Sequence, residues 1–183
     1  MKHLATLATV LVLAATSSFA EERRYVFSEK FWGTDLVIFD DGSMVCTTGS
    51  TLRKPNDHIE RLELVTSGSD AMLRLYNSAF DYEEGEVLPI GFQVDRGPVV
   101  EYTFVSAGDG ALFAPTGPNF ADHIEAFKRG QRLRTVNLYS QKVVSEYSLA
   151  GSSVNTRHLS DCAEKIGPTG RDYGPSGTTS SYR

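Results

Sequence analysis

Cys46 and Cys162 are the only two cysteines of this 183-residue chain, so they allow one intramolecular bond, across a separation of 116 residues. In an oxidising compartment such a pair is expected to close, and the chain-entropy argument values so long a loop at about 4–5 kcal/mol. Unpaired thiols, an intermolecular bond or thiol chemistry are the alternatives. His158 precedes Cys162 by four residues on a predicted helix, but two ligands do not make a zinc site. His58, His123 and His158 stand singly, and His123, beside Glu125, reads as a surface side chain. The densest run of carboxylates, Asp81, Glu83, Glu84 and Glu86, could hold Ca²⁺ or serve as the paired acid and base of a hydrolase. It lacks the alternate-position order of a calcium loop and reads as a solvated acidic loop. Gly108 with Gly110, and Gly167 with Gly170, lack the spacing of a phosphate loop, and no Gly-x-Ser-x-Gly elbow occurs. No catalytic, metal-ligating or cofactor-binding residue is assigned, and no cofactor is expected. Two surfaces are left for recognition. Tyr76, Phe80 and Tyr82, with Phe31 and Trp32 elsewhere, could line a groove for a peptide or glycan, although aromatics on strands more often fill cores. Arg132 and Arg134, on one strand face near Lys128 and Arg129, form the only basic patch; it suits an acidic partner or anionic lipid, or it complements a helix end and guards a sheet edge.

The elements that must position these residues are mostly short strands. Tyr25 to Phe27, Trp32 to Phe39 and Ser43 to Thr48 are rich in aromatic and β-branched residues, with Asp40, Asp41 and Gly42 as a hairpin turn. Thr51 to His58 reads as polar loop. Leu62 and Leu64, then Leu73 and Leu75, alternate with Glu and Arg around a turn at Ser67 to Asp70, which places the leucines inward and their polar partners toward water. Val87 to Asp95, Val99 to Val105 and Ala111 to Ala114 continue the series, after the acidic stretch from Asn77 to Gly85. Two helices interrupt it. Phe120, Ile124 and Phe127 share a face, with Asn119 as cap and Gly130 as stop. Leu133 to Tyr139 and Lys142 to Leu149 follow as a hairpin. From about Ser153 to Ile166, Val154 or Asn155, Leu159, Cys162 and Ile166 form one stripe, with Ser152 or Ser153 as cap and Gly167 and Pro168 as stop. Strands at roughly ten-residue spacing predict a β-rich fold, an antiparallel sandwich or barrel-like sheet with two short helices, the last one C-terminal. The bond between Cys46 and Cys162 would then dock that last helix on the first strands.

Residues 1–20 have the form of a secretory signal. Lys2 and His3 precede an apolar run from Leu4 to Ala15, and Ser18, Phe19 and Ala20 supply the small residues of a cleavage site. The run is too short to span a bilayer, so no transmembrane anchor is expected, and the product is placed in the periplasm or outside the cell. The remainder reads as one domain over residues 21–167 and a flexible tail over 168–183, whose only aromatic side chains are Tyr173 and Tyr182. With 18 Lys and Arg against 23 Asp and Glu, a net charge of −5, nucleic acid is not an expected partner.

The run Phe127, Lys128, Arg129, Gly130, followed by Leu133 and Val136, and then Ser148, Leu149, Ala150 and Gly151 opening a Cys-bearing helix, resembles the invasion-associated locus B family of small exported bacterial proteins. Trp32 near the mature start, with a Cys soon after it, is also similar. The resemblance follows the order of elements over residues 31–166 and the residues themselves over about 127–162. It implies a β-sandwich-like periplasmic or secreted domain without a catalytic centre, linked to host colonisation or envelope stress. Members often carry further cysteines and a second disulfide, which this chain lacks, so it resembles a divergent member. The expectation is an exported domain that binds an envelope or host protein. The alternatives are a small periplasmic hydrolase using the acidic loop, and a pocket protein for a small apolar ligand. The sequence names neither the partner nor an oligomeric state.

Overall fold

A computed structural model describes residues 21–67, 70–116 and 120–167. The expected leader and its cleavage site, the turn residues Gly68 and Ser69, the cap Asn119, and the tail with Tyr173 and Tyr182 lie outside these residues. So do the side chains of Phe120 and His123. Ten strands run β1 (Glu21–Glu29), β2 (Trp32–Phe39), β3 (Met44–Arg53), β4 (Ile59–Thr66), β5 (Ala71–Asn77), β6 (Val87–Val94), β7 (Val99–Ser106), β8 (Ala111–Pro115), β9 (Arg132–Asn137) and β10 (Lys142–Ser148). Helix α1 (Phe120–Arg129) sits between β8 and β9, and α2 (Ser152–Ile166) closes the described chain. The fold is β-rich, as the alternation predicts. β3 is longer than expected, because Ser50, Thr51 and Leu52 continue its ladder opposite Leu62, Arg61 and Glu60. The polar loop shrinks to a 3-10 turn at Pro55–Asp57.

All strand pairs are antiparallel, and the sheet is one continuous order, β1-β2-β3-β4-β5-β8-β7-β6-β9-β10. The meander β6-β7-β8 is inserted in reverse, so β8 rather than β6 pairs with β5, and β6 is left to pair with β9. The sheet curls around a single main core without closing. Trp32, Leu62, Leu64, Leu73, Phe104, Leu112 and Leu133 all contribute fully buried side chains to it. Two links join the β1–β2 turn and the start of β2 to the end of β10: Trp32 Nε1 donates to Ser148 O at 2.8 Å, and Phe31 N donates to Ala150 O at 3.4 Å. Trp32 is therefore a core residue and Phe31 an exposed one, and neither joins the aromatic group at Tyr76.

Helix α2 lies against β1, β2 and β3, and Cys162 on it is bonded to Cys46 on β3, with Sγ atoms 2.00 Å and Cα atoms 6.0 Å apart. Asn155 takes the buried place in the stripe. Thr34 Oγ1 donates to its Oδ1 at 3.1 Å and its own Nδ2 donates to Gly151 O at 2.9 Å, so the buried amide is satisfied. The helix start corrects the expectation of a serine cap. Gly151 is the N-cap, at φ 98°, and a Cβ there would lie 2.1 Å from Glu29 O; only glycine tolerates both the angle and the approach. Ser152 instead donates its hydroxyl to Phe127 O at 2.9 Å, tying α2 to α1.

A second correction concerns the polar partners of the alternating leucines. Glu63 does not face water: it is 5% exposed on the outer face of the sheet, where Arg23 Nη1 and Arg74 Nη1 donate to its two oxygens at 2.9 and 3.0 Å. Gly49, opposite it on β3, leaves the room; a Cβ there would fall 2.8 Å from Glu63 Cγ. Val37, Phe39, Val45 and Val65 form a smaller cluster on that same outer face.

Candidate functional site

Glu60 has the same parity on β4 as Leu62 and Leu64, so its side chain is carried to the inner face of the curled sheet. It is 6% exposed. A buried carboxylate is tolerated only with partners, and three are present. Asn77 Nδ2 on β5 donates to Oε1 at 2.9 Å, Ser145 Oγ on β10 donates to Oε2, and Lys54 Nζ stands 3.3 Å from Oε2. A register irregularity between Val143 and Ser145 in the β9–β10 ladder accompanies the turn of Ser145 to the interior, while Val143 and Val144 stay exposed. Tyr147 lies beside this group and is 2% exposed. Burial pushes its phenol above the usual range and the charge of Glu60 adds to that, while its hydrogen bond with Ser145 opposes both.

This polar group is the floor of a cleft at one mouth of the curled sheet. The segment joining β5 to β6 folds over the mouth and turns Phe80 and Tyr82 into it, their rings 5.3 Å apart at 57°. Tyr76, Ile90 and Val144 line the walls, and Tyr139, 81% exposed in the β9–β10 turn, stands at the rim. The enclosed volume is about 60 Å³. Tyr76 and Tyr82 are thus brought together as the sequence allows. Glu60, Asn77, Ser145 and Tyr147, which sequence reasoning did not single out, are the residues beneath them. The parity of Glu60 with two leucines was the available signal for its inward direction.

The other candidate residues lie elsewhere. Arg132 Nη1 and Arg134 Nε donate to the two oxygens of Glu146 across the β9–β10 ladder, at 3.2 and 2.8 Å. Lys128 and Arg129 reach Glu125 at 2.6 and 3.5 Å. Every cation of the basic patch therefore carries a carboxylate. Asp81, Glu83, Glu84 and Glu86 are exposed, and only the aromatics of their segment enter the cleft. His58 Nδ1 lies 3.3 Å from Ser78 Oγ, and His158 stacks on Phe27 at 4.1 Å. Among the described residues no group of three or more His, Cys, Asp or Glu is arranged to hold a metal ion. Chemically, the cleft offers ring faces and one carboxylate whose acceptor sites are mostly used, an arrangement suited to recognition.

A second, wider groove of about 400 Å³ opens between α1 and the β6–β7 hairpin, over Phe92, Val94, Val100, Tyr102 and Phe127. Burial pushes the Tyr102 phenol up to about 12. One wall of this groove is α1, which also bears Phe120 and His123.

No protein-family model matches the chain, and no curated protein matches its sequence. Among solved structures, the crystal structure of invasion associated protein B from Bartonella henselae is similar, with a TM-score of 0.51 at 13% identity. The similarity covers 76% of this chain and 99% of that one, so nearly the whole of that protein has a counterpart here. At such low identity the likeness speaks for the fold: the chain shares, distantly, the architecture of invasion associated protein B.

Proposed function

We propose that the chain is an exported binding domain of the invasion-associated locus B type, acting in the periplasm or outside the cell by holding an envelope or host protein, without catalysis. The observation that carries this reading is the aromatic cleft next to an unpaired strand edge. Among the described residues β10 ends the sheet order and has a ladder partner on one side only, Val143 and Val144 stand exposed on it, and Tyr139 stands exposed in the turn before it. Exposed apolar side chains beside a free edge are a recurrent protein-docking surface. The shared architecture with invasion associated protein B supports the reading, and the disulfide suits an oxidising compartment.

The test is site-specific photo-crosslinking in native cells, with the photoreactive residue at Tyr139 and, as control, at Tyr25 on the opposite sheet edge. An adduct with one discrete protein from Tyr139 and none from Tyr25 is expected. Adducts from Tyr25 alone, or from neither position, would overturn the reading. Export is read in the same cells by intact mass, where loss of residues 1–20 is expected and retention of the leader on a cytosolic protein refutes it.

The wider groove favours a second reading, a pocket for a small apolar ligand, since its volume reaches the usual range of such sites. Saturable binding of an apolar fluorescent probe that Val100→Asp abolishes would select it.

A further inference from the structure

The cleft of the binding reading has a carboxylate beneath its rings. We propose that it receives a lysine or arginine side chain of the partner protein; this specifies the binding reading and rests on it. Four features of the cleft point to that occupant. About 60 Å³ is enclosed, room for one side-chain head and far below the roughly 300 Å³ at which small-molecule sites begin. The walls include the rings of Tyr76, Phe80 and Tyr82, with Tyr147 beneath them and Tyr139 at the rim, and ring faces attract ammonium and guanidinium groups. The floor is the Glu60 carboxylate, which has about four acceptor directions and uses three, on Asn77, Ser145 and Lys54. The segment folded over the mouth presents Asp81, Glu83, Glu84 and Glu86, all exposed and in no ion pair among the described residues. Together they make a negative entrance above an aromatic, carboxylate-floored slot. A neutral aliphatic side chain would leave the entrance carboxylates and the remaining acceptor direction of Glu60 unanswered, and an acidic one would be repelled.

Lys54, with its side chain 38% exposed, shows that an ammonium fits against this carboxylate. From outside the cleft lining, its charge also opposes an incoming one. Removing Lys54 therefore strengthens capture of a cation, whereas a purely structural ion pair would only lose stability.

The experiment titrates the full exported chain with N-acetyl-lysine methylamide, N-acetyl-arginine methylamide and the uncharged isostere N-acetyl-norleucine methylamide, followed by NMR. The cationic probes should shift the resonances of Tyr76, Tyr82 and Tyr139 with affinity at least about fivefold above the norleucine probe, and Tyr139→Ala, at an exposed position, should weaken them by about as much. Lys54→Met should tighten lysine binding several-fold. Equal response to norleucine, or shifts confined to residues 81–86 that vanish at roughly 0.15 M salt, would overturn the proposal. A protein crosslinked at Tyr139 together with no cation preference overturns this proposal alone. Absence of any adduct at Tyr139 removes the binding reading with it.

Discussion

Ser145 donates its hydroxyl to the buried carboxylate of Glu60 from a residue 85 positions away, joining β10 to β4 across the interior of a sheet in which the two strands are not neighbours. The contact helps hold the free end of the sheet over its first half, alongside the Trp32 indole on Ser148 O. Removing one partner leaves a buried acceptor underused, at a cost of about 1–3 kcal/mol. Ser145→Ala and Glu60→Gln should each lower the urea midpoint, and their double-mutant cycle should show coupling of at least about 0.5 kcal/mol. Strict additivity would mean that the two side chains do not interact in solution.

The bond between Cys46 and Cys162 spans 116 residues and fastens α2 onto β3. Its removal by paired Cys→Ala substitution should cost about 2–5 kcal/mol, read by thermal or chemical unfolding. Intact mass should be two hydrogens below that of the reduced chain. Quantitative alkylation of the native, unreduced protein would contradict the bond.

Gly49 faces the backbone of β4 closely enough that a Cβ would sit 2.1 Å from Leu62 O and 2.9 Å from Glu63 Cα. Backbone cannot yield as a flexible side-chain end can. Gly49→Ala should therefore destabilise by about 1–3 kcal/mol or more, while Gly42→Ala, where nothing lies within 4 Å, should suffer only its left-handed φ of 79°. Equal losses at both positions would remove the steric account.

Glu63 sets an acid limb of stability. Burial pushes its carboxyl up, but the Arg74 and Arg23 guanidinium charges outweigh it, with a hydrogen bond from Arg23 and the more distant Arg61 charge, and hold it below the ordinary 4.5. A carboxyl with a depressed folded-state pKa contributes its full stability above 4.5 and loses it as pH falls through the folded value. Asp35 runs the other way: burial raises its carboxyl against the pull of Arg23 and with the repulsion of Glu63, so its contribution lies on the acid side and declines as pH rises. Glu63→Gln should flatten the fall in unfolding free energy below about pH 4.5 and lower stability at neutral pH by about 1–3 kcal/mol. An unchanged acid limb in the variant would refute the assignment.

The acidic entrance of the cleft is separable from the fold. Glu83→Gln with Glu84→Gln replaces two exposed side chains and should leave the melting temperature within about 2 °C of the parent, since substitutions at such surface sites cost little. A drop larger than that, reversed by added calcium, would instead reveal a cation held by this segment.

Local pattern made much of the architecture legible. The alternation of Leu62 and Leu64, the Asp40 to Gly42 turn and the stripe carrying Leu159 and Cys162 are short-range features, and each maps onto one strand, hairpin or helix face because side-chain direction follows backbone period. Two cysteines alone also leave a single pairing. The same parity turns Glu60 inward, yet nothing local says what it meets there. That depends on the reversed insertion of β6-β7-β8 and on the curl that brings β10 opposite β4, and both are set by burial of the whole core rather than by any one segment. Ser145 and Tyr147 reach Glu60 for that reason, whereas Asn77 stands directly opposite it across the β4–β5 hairpin, and Glu63 is buried because Arg23 and Arg74 arrive from strands β1 and β5. Period determines which way a side chain points. Only the packing of distant strands determines its company.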